Sequence, residues 1–179
     1  MDWWQTLTST VASEFSDLND LEDTVRVSIR LLLAALLGGV LGYERETKGK
    51  SAGLRTHMLV CVGASLFVVV PLQAGLDLDQ LARVIQGIVT GIGFLGAGTI
   101  LKGNSVRDVH GLTTAAGIWL TAAIGIACGL GREATAVLAT VLALMVLMLM
   151  PALERNAERT YARRSDEERE RGRAPPDAD

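Results

Sequence analysis

The chain has 179 residues, of which 49% are hydrophobic, and a formal net charge of −3. This apolar content alone would suit a soluble domain, but the charges are segregated along the chain. Five stretches carry none: Leu31–Tyr43, Met58–Ala74, Val84–Leu101, Leu112–Leu130 and Ala134–Met150. This distribution excludes an ordinary soluble protein and predicts an all-α integral membrane protein with five transmembrane helices.

The first stretch is too short to span a bilayer unless its helix begins near Thr24 and includes Arg26 and Arg30; the other four approach the roughly 20 residues that a span needs. We therefore expect a membrane domain of five helices over residues 24–150. Residues 1–23 form an acidic N-terminal arm with a short helix at the membrane surface, where Trp3 and Trp4 serve as anchors. Residues 151–179 form a charged cytoplasmic tail.

Lysine and arginine predict the orientation, because they concentrate in cytoplasmic segments. The connections after the first and third spans carry both residues, and the C-terminal tail carries seven arginines. The opposite side carries only Arg26, Arg83 and Arg132. We therefore expect the N-terminus outside and the C-terminus in the cytoplasm.

The third span is unusually rich in glycine, which lets helices approach closely in a bilayer. Its glycines are Gly87, Gly91, Gly93, Gly96 and Gly98. We predict that they form a helix-packing axis with the third span at the centre. Two further small-residue faces are Gly38-xxx-Gly42 and Gly125-xxx-Gly129. The G-x-G-x-x-G pattern from Gly91 to Gly96 lies inside this apolar span, where a nucleotide site is not expected.

Polar residues cluster at the predicted cytoplasmic ends of the spans. The cluster comprises Glu44, Arg45, Glu46, Arg55, His57, Asn104, Arg107, Asp108, His110, Thr113 and Thr114. We expect an ion pair between Glu44 and Arg55, and a cap on the fourth span from Thr113 or Thr114. Glu44, Asp108, His57 and His110 are weak candidates for a metal site, because their spacing includes no pair one helical turn apart. A structural network of ion pairs is the favoured alternative.

Arg30 lies within the first span, where an ionisable residue is a candidate functional site by default. The structural alternatives are that Arg30 snorkels to the surface or pairs with Asp77 or Asp79. Cys61 and Cys128 fall near opposite ends of their spans, which predicts two buried thiols and no disulfide. The charge-free stretches contain no carboxylate, and no catalytic arrangement is evident, so we expect neither an enzyme nor a nucleic-acid-binding protein.

Four segments together resemble the membrane domain of the MgtC/SapB family. They are Arg30–Glu46 (RLLLAALLGGVLGYERE), Gly53–Leu66 (GLRTHMLVCVGASL), Gly91–Lys102 (GIGFLGAGTILK) and Gly111–Gly131 (GLTTAAGIWLTAAIGIACGLG). The resemblance implies a multi-pass protein of the bacterial inner membrane. Family members are linked to growth in low magnesium and, in some pathogens, to survival inside host cells. Longer members carry a soluble C-terminal domain, and functions that need it are not expected of residues 151–179.

The sequence is compatible with two functions. The first is a non-enzymatic regulator that acts on other membrane proteins by helix–helix contact. By family resemblance these partners include the ATP synthase, and a homo-oligomer is expected. The second is a cation transporter or channel for Mg²⁺, with acidic residues at its inner entrance. No cofactor is expected in either case, although Mg²⁺ would be a natural effector of the first.

Overall fold

The computed structural model describes residues 2–14, 20–102 and 109–149. Its helices are α1 (Trp3–Glu14), α2 (Leu21–Thr47), α3 (Leu54–Gln73), α4 (Leu78–Thr99), α5 (Leu112–Gly129) and α6 (Glu133–Leu149). Two short strands, β1 (Leu101–Lys102) and β2 (Val109–His110), pair antiparallel between α4 and α5. The architecture is thus helical apart from this two-residue pairing.

Four of these helices, α2 to α5, are long and apolar enough to cross a membrane. The first of them begins at Leu21 and runs through Arg26 and Arg30, which confirms that this span needs its charged N-terminal turns. The helix α6 has 17 residues and is shorter than these four helices. Its crossing of the bilayer, and with it the count of five spans, stays a prediction.

Two of the spans, α2 and α4, begin at capping side chains. Asp20 accepts a hydrogen bond from the backbone N–H of Glu22 at the start of α2. Asp77 and Gln80 form a reciprocal capping box at the start of α4. α5 begins instead at Gly111, whose positive φ of 91° suits only glycine. The predicted cap from Thr113 or Thr114 is therefore wrong, because both residues lie inside the helix.

The helix α3 is the centre of the bundle, held between two small-residue faces. A β-carbon added at Gly38 of α2 would lie 2.7 Å from the carbonyl oxygen of His57. One added at Gly129 of α5 would lie 2.6 Å from the carbonyl oxygen of Ser65, and one at Gly125 would collide with that of Cys61. Backbone packs against backbone on both sides of α3, as small residues in membrane helices permit.

The prediction that the third span is the central axis is therefore wrong for the packing of this chain. A β-carbon added at Gly87, Gly91, Gly93 or Gly98 would meet nothing within 4 Å, and one added at Gly96 would make only ordinary contact with Ala115 of α5. A helix with many glycines allows another helix to approach it closely. In this chain the close approach occurs instead at one glycine pair on α2 and one on α5.

The two cysteines are free and buried, as expected. Their depths differ less than the sequence suggests, because Gly125 and Gly129 of α5 pack beside Cys61 and Ser65 of α3. Cys128 therefore lies within about one helical turn of the level of Cys61.

The chain divides into two compact units, residues 1–140 and 141–179. The features discussed below belong to the first unit. Of the second, the structure describes residues 141–149, which continue α6. The short helix α1 confirms helical structure in the N-terminal arm, and Trp3 stacks on Trp4 with ring centroids 4.2 Å apart.

Candidate functional site

The end of α2 and the beginning of α3 bring three ionisable residues into the protein interior. Glu44, Arg45 and His57 expose 5%, 3% and 1% of their surface. Glu44 and Arg45 occupy the last turn of α2, and His57 the first turn of α3. Charged side chains are rarely so buried unless they are paired, so this cluster is the most unusual polar feature of the described residues.

Glu44 forms an ion pair with its neighbour Arg45. The predicted ion pair between Glu44 and Arg55 is therefore wrong. The Nε and Nη2 atoms of Arg45 both contact Oε2 of Glu44. The other carboxylate oxygen, Oε1, is buried and has no hydrogen-bond partner. Arg55 is exposed. The buried pair thus leaves one acceptor atom unsatisfied, which is costly in a protein interior.

His57 presents a second unsatisfied atom. Its Nδ1 lies 3.0 Å from the carbonyl oxygen of Gly53, so Nδ1 carries the proton and donates it. In the neutral ring Nε2 is then an acceptor, and this atom is buried without a partner. A β-carbon added at Gly117 of α5 would lie 3.6 Å from it, which places the ring edge against α5.

Glu46 performs a structural task that the sequence did not reveal. Its Oε2 accepts a hydrogen bond of 2.8 Å from the backbone N–H of Leu54, the first residue of α3. Gly53, the N-cap of α3, has no side chain to do this. This hydrogen bond links the end of α2 to the beginning of α3. The only signal in the sequence was a glycine where a capping side chain is usual.

The remaining members of the predicted polar cluster are not all brought together. Thr114 is buried, whereas Thr113 and His110 are exposed. Asn104, Arg107 and Asp108 lie outside the described residues. Within the described part of the chain, no three His, Cys, Asp or Glu residues meet in a way that would hold a metal ion.

Arg30, near the other end of the bundle, contacts the end of α5. Its Nη1 donates to the carbonyl oxygen of Gly129 at 3.1 Å, and its Nε lies 4.0 Å from the Glu133 carboxylate. A cation at a helix C-terminus is favourable, because the last carbonyl groups carry partial negative charge. Of the structural alternatives, the pairing with Asp77 or Asp79 is wrong, because the partners of Arg30 are Gly129 and Glu133.

An apolar groove of about 630 Å³ runs between α3 and α4. Small residues stand on both walls, Gly63 and Ala64 on α3 and Gly87 and Gly91 on α4. Gly93, Gly96 and Gly98 do not line it. The five glycines of α4 therefore do not share one face, because Gly96 turns toward α5 while Gly87 and Gly91 open into the groove.

A sequence model of the MgtC family matches residues 31–156. The chain belongs to the MgtC family. SrpB of Synechococcus elongatus is 43% identical over 146 residues, covering 75% of this chain and 80% of SrpB. "Putative magnesium transporter YhiD" of Escherichia coli is 44% identical over 131 residues, covering 69% of this chain. Protein MgtC of Salmonella typhimurium is 42% identical over 122 residues, covering 68% of this chain.

The alignments cover 60% of YhiD and 51% of MgtC, so the chain spans about half to two thirds of these two relatives. The match to the MgtC family model contains α3, α4, α5 and α6 and most of α2. Both the buried Glu44–Arg45 pair and the groove lie within it. No solved structure matches the chain.

Proposed function

We propose that this member of the MgtC family is a non-enzymatic protein of the bacterial inner membrane that regulates other membrane proteins by helix–helix contact. The observation that carries the proposal is the open, small-residue groove between α3 and α4. Transmembrane helices associate by close van der Waals packing, because lipid supplies no hydrophobic drive between them. A face where glycines meet nothing within the chain is suited to receive another helix.

The groove offers backbone approach on both walls. β-carbons added at Gly63, Gly87 and Gly91 would meet nothing within 4 Å, so the helix backbones are open there. Larger side chains, Leu59 and Phe67 among them, border the small residues. A guest helix would pack between these ridges with its own small residues against Gly87 and Gly91. In this proposal Gly87 and Gly91 pack against a helix of another chain and not within their own.

The partners remain a matter of family resemblance. They would be other membrane proteins, with the ATP synthase as the first to test, and a second copy of this chain. With five spans, the positive-inside rule would put the N-terminus outside and the tail in the cytoplasm. The Glu44–Arg45–His57 cluster and the α4–α5 connection would then face the cytoplasmic side, where Mg²⁺ would act as an effector and no cofactor is required.

Transport of Mg²⁺ is the second candidate, and two observations favour it. YhiD, at 44% identity, carries magnesium transport in its name. The Oε1 atom of Glu44 is a buried carboxylate oxygen without a hydrogen-bond partner, and carboxylates are among the few groups through which proteins bind Mg²⁺ directly. Arg45 argues against this role, because it already neutralises the Glu44 carboxylate.

A flux measurement separates the two candidates. The purified chain is inserted into liposomes that contain a Mg²⁺-sensitive dye, and Mg²⁺ is added outside. We expect no more influx than into empty liposomes. Influx that is lost in a folded Glu44→Gln variant, and kept in Glu46→Gln, would instead establish transport. Glu46 is the matched control, because it lies two residues away and is exposed.

A second measurement tests regulation directly. ATP-driven proton pumping is followed in inverted bacterial membrane vesicles with and without the chain. We expect wild type to reduce pumping and Gly91→Leu, which fills the groove, to abolish the reduction. Gly93→Leu is the matched control, because it changes the same helix outside the groove. Equal pumping with wild type and Gly91→Leu, at equal amounts of inserted protein, would refute regulation of this partner through the groove.

A further inference from the structure

A polar pocket of about 450 Å³ opens between the beginning of α2 and the end of α3. Its polar lining comes from Asp23, Arg26 and Arg30 on one face of α2 and from Gln73 in the last turn of α3. Because these residues lie near the ends of two membrane-spanning helices, the pocket lies where the hydrocarbon of a bilayer meets its headgroups. This volume falls within the range of pockets that bind small ligands.

The two arginines of the pocket differ in how fully their donors are used. Arg26 is about half exposed and contacts the carboxylates of Glu22 and Asp23. Arg30 lies one turn deeper, and its side chain is 20% exposed. One of its donors bonds to Gly129, whereas Nε has no hydrogen-bond partner and is too far from Glu133 to form one. The Nε atom is itself buried, but a guanidinium has five N–H donors, so both arginines retain other N–H groups for a ligand.

The remaining lining is apolar and comes from Val27, Val69 and Leu72. The pocket therefore offers cationic donors, one carboxylate and a hydrocarbon wall together. We propose that it binds the phosphate ester of a phospholipid headgroup. The planar fork of arginine matches the oxygens of a phosphate. The apolar wall packs against the first carbons of the lipid, and the Asp23 carboxylate accepts the ammonium of an ethanolamine headgroup.

Free phosphate shares the anionic chemistry but has nothing to place against the apolar wall, which is why a lipid is the expected source. The test uses the full chain in detergent, stripped of lipid, with native mass spectrometry as the readout. The probes are short-chain phosphatidylethanolamine, phosphatidylglycerol, a diacylglycerol with the same chains, and inorganic phosphate. Wild type should retain one molecule of either phospholipid and no diacylglycerol.

Arg26→Gln should weaken phospholipid binding about tenfold, since it removes a charge-assisted donor. Arg83→Gln is the matched control: it makes the same change on an exposed arginine of α4 outside the pocket, and it should leave binding unchanged. Asp23→Asn should weaken phosphatidylethanolamine more than phosphatidylglycerol. If Arg26→Gln does not fold, Gln73→Ala serves as a second variant that removes part of the polar lining of the pocket.

Each outcome decides a part of the proposal. Displacement of the lipid by inorganic phosphate would support a phosphate site that is also filled from water. Diacylglycerol binding as well as phospholipid would overturn the proposal, because the phosphate would then contribute nothing. Equal losses in Arg26→Gln and Arg83→Gln would also overturn it, since the effect would belong to overall charge and not to the pocket.

Discussion

At the scale of single residues, the unusual chemistry is a charged pair hidden at the end of α2. Adjacent residues of a helix point in different directions, and a contact between them is uncommon. Here the side chains of Glu44 and Arg45 turn toward each other and are both buried. Removing two charges from water is costly, so each depends on the other to remain in the interior.

Removing both partners should therefore cost less than the two single removals added together. We expect Glu44→Ala and Arg45→Ala each to lower the free energy of unfolding by about 3 kcal/mol, because each leaves one buried charge unpaired. The double variant should lose clearly less than the sum of the two. Unfolding in detergent micelles, analysed as a double-mutant cycle, measures this coupling. Strictly additive losses would show that the pair makes no coupled contribution.

Two glycines of α5 provide a sharp comparison of close packing. A β-carbon at Gly125 collides with the backbone of α3, whereas one at Gly117 makes ordinary contact with the edge of His57. Gly125→Ala should therefore cost roughly 1–3 kcal/mol through overpacking. Gly117→Ala should be neutral or stabilise by up to about 1 kcal/mol, since alanine favours the helix. Thermal unfolding of both variants tests the contrast, and a stable Gly125→Ala protein would contradict the central position of α3.

At the scale of elements, the sequence was informative about helices and less so about their contacts. Long charge-free stretches located the four long spans, because hydrophobic length is a direct requirement of the bilayer, although α2 and α4 begin ten and six residues before their stretches. Which helix faces pack together could not be read in the same way. Glycine content identified α4, but α3 is the helix held on both sides, since contact depends on a matching surface across the interface.

The contacts within the polar site were equally hard to predict from the sequence. Glu44 and His57 were identified as candidates, and both are buried in one cluster. The partner of Glu44 was predicted as Arg55, because opposite charges on neighbouring helices are usually the closest ones. In the structure Arg55 is exposed, whereas Arg45 is buried. Burial of one arginine in preference to another depends on helix rotation, for which a single sequence carries little signal.

The link between α2 and α3 leads to a prediction about one helix end. Glu46→Ala removes the acceptor for the Leu54 N–H and should destabilise the protein by about 1 kcal/mol, the usual value of a lost N-cap. Glu46→Gln keeps an oxygen acceptor and should recover most of the loss. Thermal unfolding of the two variants, compared with wild type, separates capping from charge. If Glu46→Gln is as unstable as Glu46→Ala, the negative charge itself is what matters.

At the scale of the whole molecule, function depends on how many helices cross the membrane. If α2 to α6 all cross, the two termini lie on opposite sides; if α6 does not, they lie on the same side. Positive charge favours the first arrangement, because the connections after α2 and α4 and the segment after α6 are the basic ones. Under it the groove between α3 and α4 would face the lipid, and the Glu44–Arg45 pair would lie at the cytoplasmic end of α2.

Cysteine labelling decides between these arrangements. In a Cys61→Ala/Cys128→Ala background, Asp2→Cys and Asp179→Cys each provide one thiol near a terminus. A membrane-impermeant maleimide applied to intact spheroplasts should label Asp2→Cys, because five crossings leave the N-terminus outside. It should reach Asp179→Cys only after the membrane is opened. Labelling of both in intact spheroplasts would mean an even number of crossings. The predicted orientation would then fail, because the C-terminal tail would lie outside and not in the cytoplasm.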